Sequence, residues 1–228
     1  CANVNATGGA GAGIGGGGRY DNRGGEGSNI KISGGNVTAT GGAGAGIGGG
    51  QRGDGHDIAI TGGNVTAKAH DGANIGGGQC ANGYDITISG TTITVADTVG
   101  WGKSSADIGA GGGDPNSNDP AYHPGTAWDI TIGESVNFKD SRGKAVEKSS
   151  LTIGNSASGV KFLVTDKDGN SSNRFATGSN LFESITDGST VKLLGDVTLK
   201  DTESITVSAD KNFTLDLNGK TIETASGC

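Results

Sequence analysis

Methionine is absent from this chain, and proline, cysteine and tryptophan are scarce: three, three and two among 228 residues. Each shortage removes a class of explanation. Cys1, Cys80 and Cys228 have no metal-binding spacing and are too few for a disulfide framework, so at most one internal bridge could form and none is expected. No apolar run approaches the roughly 20 residues of a membrane span, and no stretch has the pattern of a signal peptide. Acidic residues outnumber basic ones by 24 to 17, for a formal charge of −7. Nucleic acid and anionic membranes both call for a basic patch, so neither is expected as a partner. Without an initiator methionine, the chain is expected to be processed or cut from something longer.

Glycine is what the chain has in abundance, at 47 residues. Unpatterned, that fraction would read as disorder; here it is periodic. Ile30-Lys31-Ile32-Ser33-Gly34-Gly35-Asn36-Val37-Thr38-Ala39 lies above Ile58-Ala59-Ile60-Thr61-Gly62-Gly63-Asn64-Val65-Thr66-Ala67, and above Ile86-Thr87-Ile88-Ser89-Gly90-Thr91-Thr92-Ile93-Thr94-Val95. The first isoleucines are 28 residues apart, and a fourth copy starts at Ile130, 44 residues on, after an insertion of about 16. Ile14, Ile47, Ile75 and Ile108 each precede a run of glycines.

Apolar residues alternate within each copy, the period of short strands with one buried face. The first 165 residues carry no helical stripe. Units of about 28 residues with three strand-like pieces predict an all-β parallel solenoid, each unit stacked about 4.8 Å above the last with its isoleucines in inward columns. Glycine then shapes tight corners rather than loosening the chain. Asn36 and Asn64 fall at matching corners and are expected to form a short ladder. Asn29, Asp57, Asp85 and Asp129 each precede a strand and read as turn formers rather than metal ligands.

Residues 160–174 read as a hairpin turning at Asp168-Gly169. Asp166-Lys167-Asp168-Gly169-Asn170 has the start of a calcium loop without its later glutamate, so a plain turn is expected and calcium is left as the alternative. Ser179 or Asn180 would open a short helix near 179–187 carrying Leu181, Phe182 and Ile185. Strands follow at Val191–Leu194, Val197–Leu199, Ile205–Val207 and Phe213–Ile222.

"LFESITDGSTVKLLGDVTL" with "ITVSADKNFTLDLNGKTI" resembles the opening coils of right-handed parallel β-helix (pectate-lyase-like) domains in secreted and cell-wall-anchored proteins of Gram-positive bacteria. "ISGGNVTATGGAGAGIGGG" is similar to the body coils of those proteins. The resemblance implies a right-handed β-helix, a capping helix before the opening coils, and a secreted or cell-surface location. It implies no catalytic motif, because such folds serve as lyases, glycosidases, adhesins and spacers alike. Residues 1–165 are expected to be body coils, 166–178 a hairpin end or linker, and 179–228 the capping helix and opening coils of a second β-helix. Cys1–Gly9 aligns with Gly34–Gly42, so the chain is expected to begin within a coil and to have neighbouring segments of a longer array.

Stacked coils also stack their loops, where function would be expected. The loop series carries Tyr20, Arg52, Asp54, His56, Tyr84, Trp101, Tyr122, His123 and Trp128, with Gln79 and Asn82 among them. Rings beside polar groups suit glycan recognition or contact with a host surface, since pyranose faces stack on rings while polar groups take hydroxyls; the competing reading is that the rings cover gaps in a glycine-rich surface. Catalysis would need a carboxylate pair, or a carboxylate with a base. Asp114 with Asp119, or Asp54 with His56, are candidates by proximity in sequence only. Arg52-Gly53-Asp54 spells an integrin-binding tripeptide, a weak match in so glycine-rich a chain. His70, beside Asp71, reads as a solvated turn residue. No resident metal or other cofactor is expected.

The reading is thus a non-catalytic rigid spacer or adhesive module of a bacterial extracellular surface protein, binding glycans along the loop ridge. The alternative is part of a carbohydrate-active β-helix enzyme, a polysaccharide lyase or glycosidase. An ice-binding solenoid, suggested by Thr38, Thr66 and Thr94, comes third, because Thr40 gives way to Lys68 in the next coil.

Overall fold

The computed structural model describes residues 2–19, 23–96, 105–113, 122–154, 160–176, 182, 185–199, 205, 207, 209 and 211–224. The first strands are β1 (Asn3–Thr7), β2 (Ile14–Gly15), β3 (Ile30–Thr40), β4 (Ile47–Gly48), β5 (Ile58–Lys68) and β6 (Ile75–Gly76). Next come β7 (Gly83–Ile88), β8 (Thr92–Val95), β9 (Ile108–Gly109), β10 (Ala127–Gly133), β11 (Asn137–Lys139), β12 (Ala145–Val146) and β13 (Ile153–Gly154). A hairpin of β14 (Val160–Thr165) and β15 (Ser171–Ala176) precedes β16 (Thr190–Leu193), β17 (Val197–Leu199), β18 (Thr214–Asp216) and β19 (Ile222–Thr224). Among the described residues there is no α-helix; a 3-10 turn spans Lys148–Ser150.

Strands a repeat apart pair parallel and in register. Ile30 lies beside Ile58, Ile58 beside Ile86, and Ile130 beside Ile86; Ile32, Ile60, Ile88 and Ile132 form a second column. Val37, Val65, Ile93 and Phe138 form a third. A separate sheet joins Ile14, Ile47, Ile75, Ile108 and Ile153. These columns make one core in which Ile47, Ile60, Ile75, Ile86, Ile88, Ile93 and Ile108 have no exposed surface. Fully burying one such side chain contributes about 1.5–3 kcal/mol. Ile153 is a fifth rung that the run of glycines did not announce, since Asn155 replaces the second glycine after it. The fourth copy also slips by one: Ile130 sits 44 residues past Ile86, whereas Phe138 sits 45 past Ile93. A turn closed by Val136 N–H donating to the Gly133 carbonyl takes up the extra residue.

Glycine is required where these rungs approach. In the Ile-Gly column Gly48, Gly76 and Gly109 have φ of +136°, +133° and +133°. A Cβ on Gly48 would overlap the Gly76 carbonyl, and one on Gly76 the Gly109 carbonyl. Both reasons forbid a side chain.

The parallel stack ends on an antiparallel hairpin. β15 pairs with β10 and β14 with β16, so the hairpin joins the main sheet between two cores. The second core gathers Phe162, Val164, Phe182, Ile185, Val191, Leu193, Val197 and Leu199. Beyond it β16 pairs parallel with β18 and β17 with β19, Val197 lying beside Ile222. Most of the helix expected near 179–187 falls outside the described residues; Phe182 and Asp187 lie in turns and Ile185 in irregular backbone.

Two strand expectations need correction. Phe213–Ile222 is not one strand: Asn218 and Gly219, at φ +49° and +71°, turn the chain, sending β18 and β19 to different sheets. Ile205 and Val207 lie outside any strand, with Val207 exposed.

Replacing Gly76 by alanine is expected to lower stability by more than about 3 kcal/mol, combining forbidden φ with overlap between rungs. Gly17→Ala, where a Cβ meets nothing within 4 Å, is expected to change it by less than about 0.5 kcal/mol. Paired thermal melts check both.

Candidate functional site

Isolated bridges from Gly27 to Gly55 and from Gly55 to Gly83 hold the loops after the Ile-Gly column one above another. The loop ends therefore stack. His56, Tyr84 and Trp128 form a pile of rings, with centroids 4.8 and 4.2 Å apart and planes within 3° and 6° of parallel. Both faces of Tyr84 are consequently occupied. His56 Nδ1 lies 2.7 Å from Asp57 Oδ2, and its Nε2 lies 3.6 Å from Glu26 Oε2. Burial, then the charges of Asp54 and Glu26, raise the Tyr84 hydroxyl above its usual value.

The next residue at each level is Asn29, Asp57, Asp85 or Asp129, and all four take a left-handed backbone, with φ between +50° and +56°. Asn and Asp tolerate that region best among residues with a side chain. The four line a groove of about 550 Å³ with Lys31 and Arg174. Burial, a hydrogen bond with Asp129 and the charges of Asp129 and Asp57 push Asp85 up from 3.8 to about 6. Desolvation lowers Arg174, against the attraction of Asp129.

Asp54 is drawn into the stack. It accepts hydrogen bonds from Asn82 N–H at 3.0 Å and Asn82 Nδ2 at 3.3 Å, with Arg23 Nη2 at 3.4 Å. Asn82 Oδ1 in turn accepts from Thr126 N–H and its hydroxyl. The Arg52 guanidinium lies 4.4 Å from the Tyr122 ring centre, and Arg52 itself is left-handed at φ +59°. Within Arg52-Gly53-Asp54, then, the charged ends are both engaged by the protein. His123 is exposed. Tyr20, Trp101, Asp114 and Asp119 lie outside the described residues.

The calcium-like loop closes on itself. Asp166 Oδ2 accepts from Asn170 Nδ2 at 3.0 Å and its Oδ1 from Asn170 N–H and Asp168 N–H, both at 2.9 Å; these donors, the Asn170 amide foremost, hold its carboxyl below the usual range. No group of three or more His, Cys, Asp or Glu among the described residues is arranged to hold a metal. No described helix is long and apolar enough to cross a membrane.

Three features escaped sequence reasoning. Asn74 is fully buried and satisfied: its Nδ2 donates to the Ala96 carbonyl and to Asp107, and its Oδ1 accepts from Ala69 N–H. Gln51 Nε2 donates to Gln79 Oε1 at 3.0 Å. The carboxylates of Asp129 and Asp57 add to burial in raising Asp85. Two of these features had a sequence signal: Gln51 and Gln79 stand one repeat of 28 residues apart, and an acid recurs at Asp57, Asp85 and Asp129.

Raised above its unfolded value, Asp85 favours the fold while protonated. That contribution is complete below about pH 4 and is lost as pH rises through about 6. Asp85→Asn is expected to leave the melting temperature unchanged near pH 4 and to raise it near pH 8. Because the site is solvated, the gain should not exceed about 1 kcal/mol. Melts across that pH range measure it.

Residues 30–51 and 58–79 each match the family model of the β-helix repeat. No curated protein and no solved structure matched the chain. The matched stretches are β3 with its turn into β4 and β5 with its turn into β6, whose rungs pair parallel in register. Over those residues the chain carries β-helix repeats.

Proposed function

We propose that the chain is a non-catalytic rigid spacer or adhesive module of a bacterial extracellular surface protein, built as a right-handed β-solenoid with units of about 28 residues. Its two cores, before and after a connecting hairpin, would be the end of one β-helix and the start of another. One observation carries the spacer reading: polar and aromatic side chains bond to their counterparts one level away. Asn3, Asn36 and Asn64 do so through their amides, Asp54, Asn82 and Thr126 through a polar chain, and His56, Tyr84 and Trp128 through their faces. Each contact adds about 0.5–1.5 kcal/mol along the stacking axis beyond the backbone pairing. Side chains spent this way stiffen a stack. Placement outside the cell, and glycans or a host surface as partners, rest on the resemblance to cell-wall-anchored proteins.

Small-angle scattering of the purified chain is expected to give an elongated, rigid particle, and pulling on its ends a series of steps as rungs release. Polysaccharide panels assayed for new reducing ends or unsaturated products are expected to show no turnover. Turnover abolished by Asp114→Asn or Asp119→Asn would establish a lyase or glycosidase instead.

A further inference from the structure

A second groove lies away from the ring pile, where the turns after β3 and β5 meet the loops after β4 and β6. It measures about 560 Å³ and is lined by Gly9, Ala10, Gly42, Ala43, Gln51, His70, Asp71 and Gln79. Backbone bonding brings the two loop series together: Gln51 N–H donates to the Ala10 carbonyl and Gln79 N–H to the Ala43 carbonyl.

Gln79 is 5 % exposed, yet only half of its amide is used. Its Oε1 accepts from Gln51 Nε2, and among the described residues its own Nε2 donates to nothing. Neither neighbouring level continues the pair: Gly17 lies beside Gly50 below, and Gly112 accepts from Cys80 N–H above. The amide pair therefore ends in an unused acceptor on Gln51 and unused donors on Gln79. Unlike Arg174 Nε, Gln79 Nε2 is not sealed from solvent, so it can donate to an occupant of the groove. At the rim, Asp71 Oδ1 pairs with His70 Nδ1 at 2.8 Å, and the imidazole is half-exposed.

We propose that this groove binds a neutral oligosaccharide. Gly9, Ala10, Gly42 and Ala43 line it with small apolar groups, against which a pyranose face can lie. Gln79 would donate to one hydroxyl, while Gln51 and Asp71 accept from others. An extended peptide fits less well, because it needs a free backbone edge. Here the Gly9 carbonyl already accepts from Gly42 and Ala43, and the Gly42 carbonyl from His70 and Asp71. The proposal takes from the adhesive reading only the class of ligand; scattering tests the rod, and the amide readout below tests the groove, so either can fail alone.

The test is NMR titration of the whole chain with linear neutral hexasaccharides of glucose, mannose and N-acetylglucosamine, following the Gln51 and Gln79 side-chain amides. At least one series is expected to shift both amides saturably. Gln79→Leu, which keeps the bulk without the amide, should weaken that binding about tenfold, about 1.4 kcal/mol, and Gln51→Ala should weaken it too, while Trp128→Ala leaves it unchanged. Wild-type amides that no hexasaccharide moves would overturn the proposal without any variant having to fold. So would affinity that survives Gln79→Leu, or an unstructured peptide that shifts the same amides more strongly.

Discussion

Backbone-to-backbone stacking in the Ile-Gly column is the constraint on which the rest depends. Each isoleucine must sit over the next to keep the core dry, and this brings the following glycine against the carbonyl of its neighbour. Only a residue without a Cβ fits at that spacing and that φ. The high glycine content is thus a packing requirement, and the isoleucine columns supply the apolar burial that offsets the entropy of ordering so much glycine.

Stacking then propagates to every loop. Once Gly27, Gly55 and Gly83 are bridged, whatever occupies positions just beyond them is forced into rows. Rows of unlike groups bond, as Asp54 and Asn82 do. Burial, with a row of neighbouring carboxylates behind it, pushes Asp85 up to about 6. A row of rings stacks, covering both faces of Tyr84 and stiffening the pile.

The repeating stack stops where the chain reverses direction. β15 lies antiparallel on β10, and the next parallel rungs are built on β16 with a core of their own. Val160–Thr165 and Ser171–Ala176 thus belong to the sheet as fully as the coils they join. A cavity of about 1020 Å³ at this junction, lined by Ile132, Phe138 and Phe162 with Lys148 and Arg174, marks where the two cores meet. Lys148 closes part of it by donating to the Gly133 and Glu134 carbonyls.

Periodicity in the amino-acid sequence was enough to determine the strands and inward columns of the repeated coils, the asparagine ladder and the hairpin turn, because each follows from local alternation and from residues that tolerate special φ values. Sequence could also name His56, Tyr84 and Trp128 as neighbours by repeat. It could not say whether their faces were open, since that depends on how far apart successive levels lie. Nor could it foresee Asn74 sealed in the core, Asn218-Gly219 splitting a strand, or the half-used amide of Gln79. Those were decided by tertiary structure alone: burial and hydrogen-bond satisfaction are properties of groups brought together from different levels, and no single stretch of chain contains both partners.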